Sequence, residues 1–254
     1  MPLAVIRRLL PDWGTTYGPP DDTPRPAVLL LHGSEGGLSG WSNCYSAILG
    51  ASGYLVYPHS YSAGGNAWNA GSIKDIDLSR TVKALEALRA FPYCNGRVAL
   101  YGISRGAEHA LLVATGMAKR GLGPLPDAVA CLAPPDVVCG AFDARSYRDP
   151  GDPGWQAWDP AKRAWNWEGK YDDLLPTQEI GVETYPGPLF LAAGMKDTVW
   201  SPDMSRRLEQ RRLKHNRPVE AHYYENEHHV PGSKGENEHH RRLLGFLERH
   251  LPLP

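Results

Sequence analysis

The feature that most constrains this chain is a set of short runs with no polar residue in them. Ala27-Val-Leu-Leu-Leu31 is one, and it stops abruptly at His32-Gly33. A strand with one wet face alternates apolar and polar residues, so a strand apolar at every position is buried on both faces. Tyr54-Leu-Val-Tyr57, Ala128-Val-Ala-Cys-Leu132 and Leu189-Phe-Leu-Ala-Ala193 are of the same kind. Arg97-Val-Ala-Leu-Tyr101 runs straight into Gly102, and Val219 to Tyr224 is the last strand candidate. Helical patterns separate them. Asp75 to Ala90 carries Leu78, Val82, Leu85 and Leu88 at helical spacing. Residues 106–120 set Ala107, Ala110, Leu111, Ala114 and Met117 on one side, with Gly121 as the stop. Ser201-Pro202-Asp203 opens a helix with a hydroxyl cap, a proline at the first position and an acid near the positive end of the dipole. Glu238 to Leu251 closes the chain as a helix with Leu243, Leu244 and Leu247 inward. Such alternation predicts an α/β fold: a mostly parallel central sheet flanked by helices.

At 254 residues the chain has room for one such domain, 1–254, but not for two. A net charge of -1 argues against an electrostatic nucleic-acid binder, so no nucleic-acid partner is expected. The Arg206-Arg207 and Arg211-Arg212 pairs, with Glu209 between them, read as a solvated helix face. The apolar runs are about strand length, far below the ~20 residues of a membrane span, and no membrane association is expected. MPLAVIRRLLPDW lacks the layout of a secretion signal. Cys44, Cys94, Cys131 and Cys139 show no paired spacing, so reduced thiols and a cytoplasmic location are expected. Nothing in the sequence sets an oligomeric state.

Residues 134–186 break the rhythm. They are rich in Pro, Gly, Asp and Trp and lie between two core strands. We read them as an irregular, Trp-rich lid or cap insertion over the site. Trp155, Trp158, Trp165, Trp167 and Tyr171 are expected to pack together there.

The chemistry centres on Gly102-Ile-Ser104-Arg-Gly106. By composition alone Gly-x-Ser-x-Gly occurs by chance in roughly one chain in ten, so its flanks matter more than its letters. A strand leads in and a helix leads out. That tight turn exposes a serine oxygen, and its glycines remove side chains that would collide. Ser104 is the expected nucleophile, activated by a base that takes its proton. Asp197 follows strand 189–193 and falls on the same sheet edge, so it is the expected acid. Asp203 is better explained as first-turn helix chemistry. After strand 219–224 come His228 and His229. Adjacent loop residues point different ways, so only one is the base. The other histidines read as ordinary: His239 and His240 begin a helix, and His215, His222 and His250 lie at the surface. His228, Glu227 and His239 lack metal-ligand spacing, so no metal is expected.

His32-Gly33-Ser34-Glu35-Gly36-Gly37 follows the strand 27–31 and can turn backbone N–H groups toward the elbow. The N–H groups of Arg105 and Ser34 are the expected oxyanion donors. The loop lacks the ending of a phosphate loop and the Gly-x-Gly-x-x-Gly of a dinucleotide fold, so no cofactor is expected. The Arg105 side chain reads as meeting either an anionic substrate group or a surface carboxylate.

At this point the chain resembles the α/β-hydrolase superfamily, in its dienelactone-hydrolase-like branch. More narrowly it is similar to the catalytic domain of acyl-CoA thioesterases and bile acid-CoA:amino acid N-acyltransferases. The matching segments are His32–Gly37, Gly102-Ile-Ser-Arg-Gly-Ala-Glu108, and Val182 through Asp197-Thr-Val-Trp-Ser201-Pro202. The likeness covers roughly residues 26–250. It implies the α/β-hydrolase fold, Ser104 as nucleophile and Asp197 as acid. In that family the base lies five residues past a strand-ending tyrosine, which from Tyr224 implies His229. The conjugating members typically use cysteine, so serine tilts the expectation toward hydrolysis of a small-molecule acyl ester or thioester. Transfer of the acyl group to an amine or hydroxyl, as an acyltransferase or cyclase, is the second reading. A non-catalytic binding module is the third. The family's animal members carry a preceding β-sandwich domain that this chain has no room for, and the Trp-rich stretch 155–167 is not part of the match.

Overall fold

A computed structural model describes residues 4–36, 40–62, 72–143 and 158–254. The main sheet has eight strands: β1 (Ile6–Leu10), β2 (Gly14–Gly18), β3 (Arg25–Leu31), β4 (Leu55–His59), β5 (Cys94–Ile103), β6 (Ala128–Leu132), β7 (Leu189–Gly194) and β8 (Val219–Tyr224). Their order is β1-β2-β4-β3-β5-β6-β7-β8. Every pairing from β4 to β8 is parallel, while β1 pairs with β2, and β2 with β4, antiparallel.

The fully apolar runs acquire their reason here. In β3, Ala27, Leu29 and Leu31 face one hydrophobic layer, while Val28 and Leu30 face the other. The first layer is closed by α2 (Ser79–Arg89), α3 (Arg105–Lys119) and α4 (Pro202–Lys214), through Leu85, Leu111 and Leu208. The second is closed by α1 (Gly40–Ala51) and α5 (Ser233–His250), through Leu49, Leu243 and Phe246. Parallel strands put their C-terminal ends on one edge, so Leu31, Ile103, Leu132 and Gly194 all deliver their loops to the same place. Among the described residues no helix is long and apolar enough to cross a membrane.

The strand and helix positions depart from the sequence pattern in informative places. The helix expected from Asp75 begins at Ser79, because Ile76–Asp77 is drawn into a parallel pair with Trp165–Asn166. The Asp77 carboxylate then accepts from Ser79 N–H at 2.9 Å and from its hydroxyl at 2.9 Å. The last helix starts five residues earlier than Glu238, at Ser233, where Gly235 lies flush against the Glu227 side chain. His239 therefore does not begin that helix. It is fully buried in it, with Nε2 2.9 Å from the Tyr101 hydroxyl and Nδ1 3.2 Å from that of Tyr224. Ser201 caps α4, accepting from Asp203 N–H at 3.3 Å, and Pro202 is its first residue. The solvated reading of the α4 arginines fails at Arg212. Its guanidinium is buried and donates to the carbonyls of Val182, Tyr185, Gly187 and Pro218. Burial pulls its pKa down to about 10. Arg206, Arg207 and Arg211 pair instead with Asp203, Asp136 and Glu179.

The segment 134–186 has short strands of its own. Gly140–Asp143 pairs antiparallel with Asp159–Arg163 and with Ser72–Ile73. Among the described residues its aromatics do not gather into one cluster. Trp165 and Trp167 are buried in the main core against α3. Trp158 packs beside Ala133, Cys139 and Trp200. Tyr171 lies under Arg163 and donates to the Asp75 carboxylate at 2.8 Å. Trp155 lies outside the described residues, as does Gly37.

Candidate active site

Strand β5 ends at Ile103 and the chain turns at Ser104 into α3. Ser104 sits at φ 53° and ψ -119°, a region that costs a non-glycine residue on the order of 1–3 kcal/mol. A Cβ on Gly102 would stand 2.1 Å from the Gly106 carbonyl oxygen, and one on Gly106 would stand 2.1 Å from that of Leu31. Both obstacles are backbone. Only glycine at the two positions lets the turn close and α3 abut the end of β3. Ser104 N–H donates to Leu132 O at 2.8 Å, which ties the turn to β6.

Asp197 stands in the loop after β7. Its Oδ1 accepts from Val199 N–H at 2.7 Å and from Trp200 N–H at 2.9 Å. This is the local turn an aspartate makes with backbone two and three residues on. Its Oδ2 is 2.7 Å from His229 Nδ1, and His229 Nε2 is 2.9 Å from Ser104 Oγ. An ionised carboxylate only accepts, so Nδ1 carries the proton and donates, which leaves Nε2 to accept from the serine hydroxyl. The structure thus brings Ser104, Asp197 and His229 into one hydrogen-bonded chain. His228 is exposed and apart from it. The backbone explains the choice: a Cβ on Gly194 would lie 2.3 Å from His228 O, so the histidine loop is seated against the end of β7. Lys196 N–H reinforces the seat by donating to Glu227 O at 2.9 Å. Asp203 is exposed and paired with Arg206 in the first turn of α4.

The loop after β3 lies alongside the elbow, with Gly33 against the Ile103 carbonyl. Gly33 N–H donates to the Glu35 carboxylate at 2.8 Å, which holds the loop in a turn around Ser34. Burial pushes the Glu35 carboxyl above its ordinary range, while the Gly33 N–H and nearby His229 hold it down. His32 is the pillar of this loop. It stacks on Tyr61 with ring centroids 4.0 Å apart, and Tyr61 donates its hydroxyl to His32 O at 2.8 Å. Burial holds the His32 pKa down to about 4, so the ring is neutral near pH 7. As first residue of α3, Arg105 has no helical carbonyl four positions back, so its N–H is free to serve a ligand at the helix N-terminus. Arg105 follows Ser104 directly, and Ser34 stands in the loop whose Gly33 abuts the Ile103 carbonyl.

The Arg105 side chain does not pair with a surface carboxylate. It is buried, 3.2 Å from the Glu108 carboxylate one turn along α3, and it donates to Gly140 O at 2.9 Å. Glu108, fully buried, accepts from Cys139 N–H at 2.7 Å and from the Trp165 indole at 2.6 Å. Burial pushes its carboxyl above the ordinary range, opposed by the guanidinium and the two N–H donors. The pair therefore nails the 134–186 segment to the first turn of α3, the helix that follows Ser104. The sequence pattern did not reveal this, because an i, i+3 Arg–Glu pair looks the same on a wet face. Trp200 was also missed. Its indole N–H donates to Ser104 Oγ at 3.1 Å. The available signal was the aspartate turn, which fixes the residue three positions after Asp197. Among the described residues no three His, Cys, Asp or Glu side chains are grouped to hold a metal ion.

No family model matches the chain, and no curated protein does. Solved structures do. An acylaminoacyl peptidase of Pyrococcus horikoshii superposes with a TM-score of 0.65 at 14% identity, covering 98% of this chain. This chain spans only 41% of that peptidase's length. An esterase of Pyrococcus furiosus gives 0.63 at 19% identity, covering 98% of this chain and 91% of its own. A dienelactone hydrolase-like promiscuous phosphotriesterase from metagenomic libraries gives 0.61 at 12% identity, covering 98% of both. At these identities the likeness is one of architecture: the chain has the α/β-hydrolase fold.

Proposed function

We propose that this chain is a serine hydrolase that cleaves an ester or thioester through an acyl-serine intermediate. The observation that carries the reading is the unbroken hydrogen-bonded chain from Asp197 through His229 to Ser104, with Ser104 on a strained strand-to-helix turn. As Ser104 Oγ attacks the carbonyl carbon, its proton passes to His229 Nε2. Asp197 holds the imidazole in the required tautomer and stabilises its charge. The carbonyl electron pair moves to oxygen, where the N–H groups of Arg105 and Ser34 receive it, each worth about 3 kcal/mol in such sites. The imidazolium returns its proton to the leaving alcohol or thiol. Water, deprotonated by the same imidazole, then releases the acid. The names of the esterase and the dienelactone hydrolase-like neighbour support this chemistry. The acyl-CoA class rests on the sequence resemblance.

A fluorophosphonate probe tests the reading, with the labelled residue located by peptide mass. Labelling at Ser104 that parallels loss of activity is the expected result. An active protein unlabelled at Ser104 refutes it. A panel of p-nitrophenyl esters of graded chain length beside acyl-CoA thioesters identifies the acyl group. Amine acceptors in the same assay separate hydrolysis from transfer: free acid as the only product is the result expected here.

A further inference from the structure

We infer that Trp200 is a further catalytic residue of this site, its indole N–H being the nucleophile's second hydrogen-bond partner. The inference rests on Ser104 being the nucleophile. A serine oxygen has one proton and two lone pairs. Here the proton is directed to His229 Nε2 at 2.9 Å, and one lone pair accepts from Trp200 Nε1–H at 3.1 Å. An indole only donates, so this direction is unambiguous. The remaining lone pair is the one left to attack a carbonyl carbon. The indole thus fixes the rotation of the Ser104 side chain about its Cα–Cβ bond.

The placement of Trp200 is not incidental. Its own backbone N–H is held by Asp197 Oδ1 at 2.9 Å, while Asp197 Oδ2 holds His229. The hydrogen bonds therefore close a ring: Asp197 to His229, His229 to Ser104, Ser104 to Trp200, Trp200 back to Asp197. One carboxylate positions both groups that touch the nucleophile. The ring side of Trp200 is buried against Ala133, Cys139 and Trp158, which keeps the indole from swinging away.

During acylation the Oγ–H bond breaks, the proton goes to His229, and Oγ bonds to the carbonyl carbon. Negative charge gathers on Oγ before that bond is complete, and the indole N–H is aimed at it. The N–H stays intact throughout. When Oγ becomes an ester oxygen it is a poorer acceptor, and the bond to Trp200 weakens. A donor that is strongest at the moment of attack lowers the barrier rather than the ground state.

The test is the second-order rate of fluorophosphonate labelling of Ser104 in the wild-type chain and in Trp200→Phe. Phenylalanine keeps an apolar ring against Ala133 and Cys139 but has no N–H. A hydrogen bond to a charged oxygen predicts a fall of about 10- to 100-fold. An equal or faster rate in a variant that melts like wild type overturns the inference, since it would make the indole a bystander or a brake. A wild-type chain that is not labelled at Ser104 refutes the serine-nucleophile reading, and this inference falls with it. A second measurement needs no folded Phe variant. The Trp200 indole N–H resonance, assigned by its loss when benzothienylalanine replaces tryptophan at 200, shifts upfield on phosphonylation of the wild-type chain. An unchanged resonance overturns the inference as well.

Discussion

Replacing Glu108 by glutamine leaves the shape of the first turn of α3 almost intact and removes one charge. An amide carbonyl oxygen in place of Oε1 still accepts from Cys139 N–H and the Trp165 indole, now 2.7 and 2.6 Å away. What is lost is the partner of a buried cation. Arg105 is left with Gly140 O as its hydrogen-bond acceptor and the Trp165 ring at 5.3 Å. Breaking a buried pair from one side costs about 3–5 kcal/mol, because the other charge stays buried without compensation. For a domain of this size that is a fall in Tm of about 6–20 °C. Arg105→Met supplies the contrast. With the cation gone, burial favours the neutral carboxyl, and Glu108 can take up a proton. A raised folded-state pKa gives stability that is full at low pH and lost as pH rises through it. Arg105→Met is therefore expected to lose less at pH 5 than at pH 8, whereas Glu108→Gln, which removes a carboxyl already held above its ordinary range, loses no less at pH 5 than at pH 8. Thermal unfolding at the two pH values checks both statements. A loss below about 1 kcal/mol for Glu108→Gln refutes the claim that this pair holds the segment to α3.

Gly106→Ala drives a Cβ into the Leu31 carbonyl at 2.1 Å and is expected to leave no labelling of Ser104 by fluorophosphonate, even in protein that still shows helical circular dichroism. Asp197→Asn keeps an acceptor for Val199 and Trp200 N–H but turns an N–H₂ toward His229 Nδ1. Turnover is expected to fall by about 10⁴ with little change in Tm, as measured by steady-state kinetics and calorimetry. The pH dependence of stability is set between pH 6.5 and 5 by buried histidines. His32, His59 and His239 have pKa values held down to about 4, about 3 and about 3 by burial, and His109 is lowered the same way. A lowered histidine pKa means the unfolded chain binds the proton first, so stability is full above pH 6.5 and falls as pH drops. Each of these rings contributes about 1.4 kcal/mol per pH unit over that window. Unfolding at pH 7 and pH 5.5 measures it, and equal stabilities at the two pH values contradict their burial as neutral rings.

The strands were readable because burial on two faces leaves no polar residue behind, as in β3, β6 and β7. The elbow was readable because its backbone excludes every residue but glycine at Gly102 and Gly106. Other parts answer to tertiary contacts with no local trace. The β1–β2 hairpin is half solvated, and Arg7 and Arg8 hide its strand character. α1 is built from Gly-Trp-Ser-Asn-Cys-Tyr-Ser, which carries no helical stripe and is held by packing of Tyr45 and Leu49 on the sheet. Arg212 looks like its neighbours on α4 until four carbonyls converge on it. Asp197 could be singled out from strand order and the resemblance. The role of its second oxygen, and hence of Trp200, needed the turn in three dimensions.

The strands that carry Ser104 and His229 are not neighbours: β6 and β7 lie between β5 and β8. This hydrogen-bonded pair, 125 positions apart in the sequence, meets across the width of three strand spacings. A twisted sheet can flex over that width, and a hydrogen bond weakens steeply as its geometry departs from the ideal. On the face of the sheet covered by α5, His239 lies between the Tyr101 hydroxyl of β5 and the Tyr224 hydroxyl of β8. It works as a tie rod between the same two strands whose loops the Ser104–His229 hydrogen bond joins at the sheet edge. The two strands are thereby joined by a fully buried side chain of the final helix as well as by their loops.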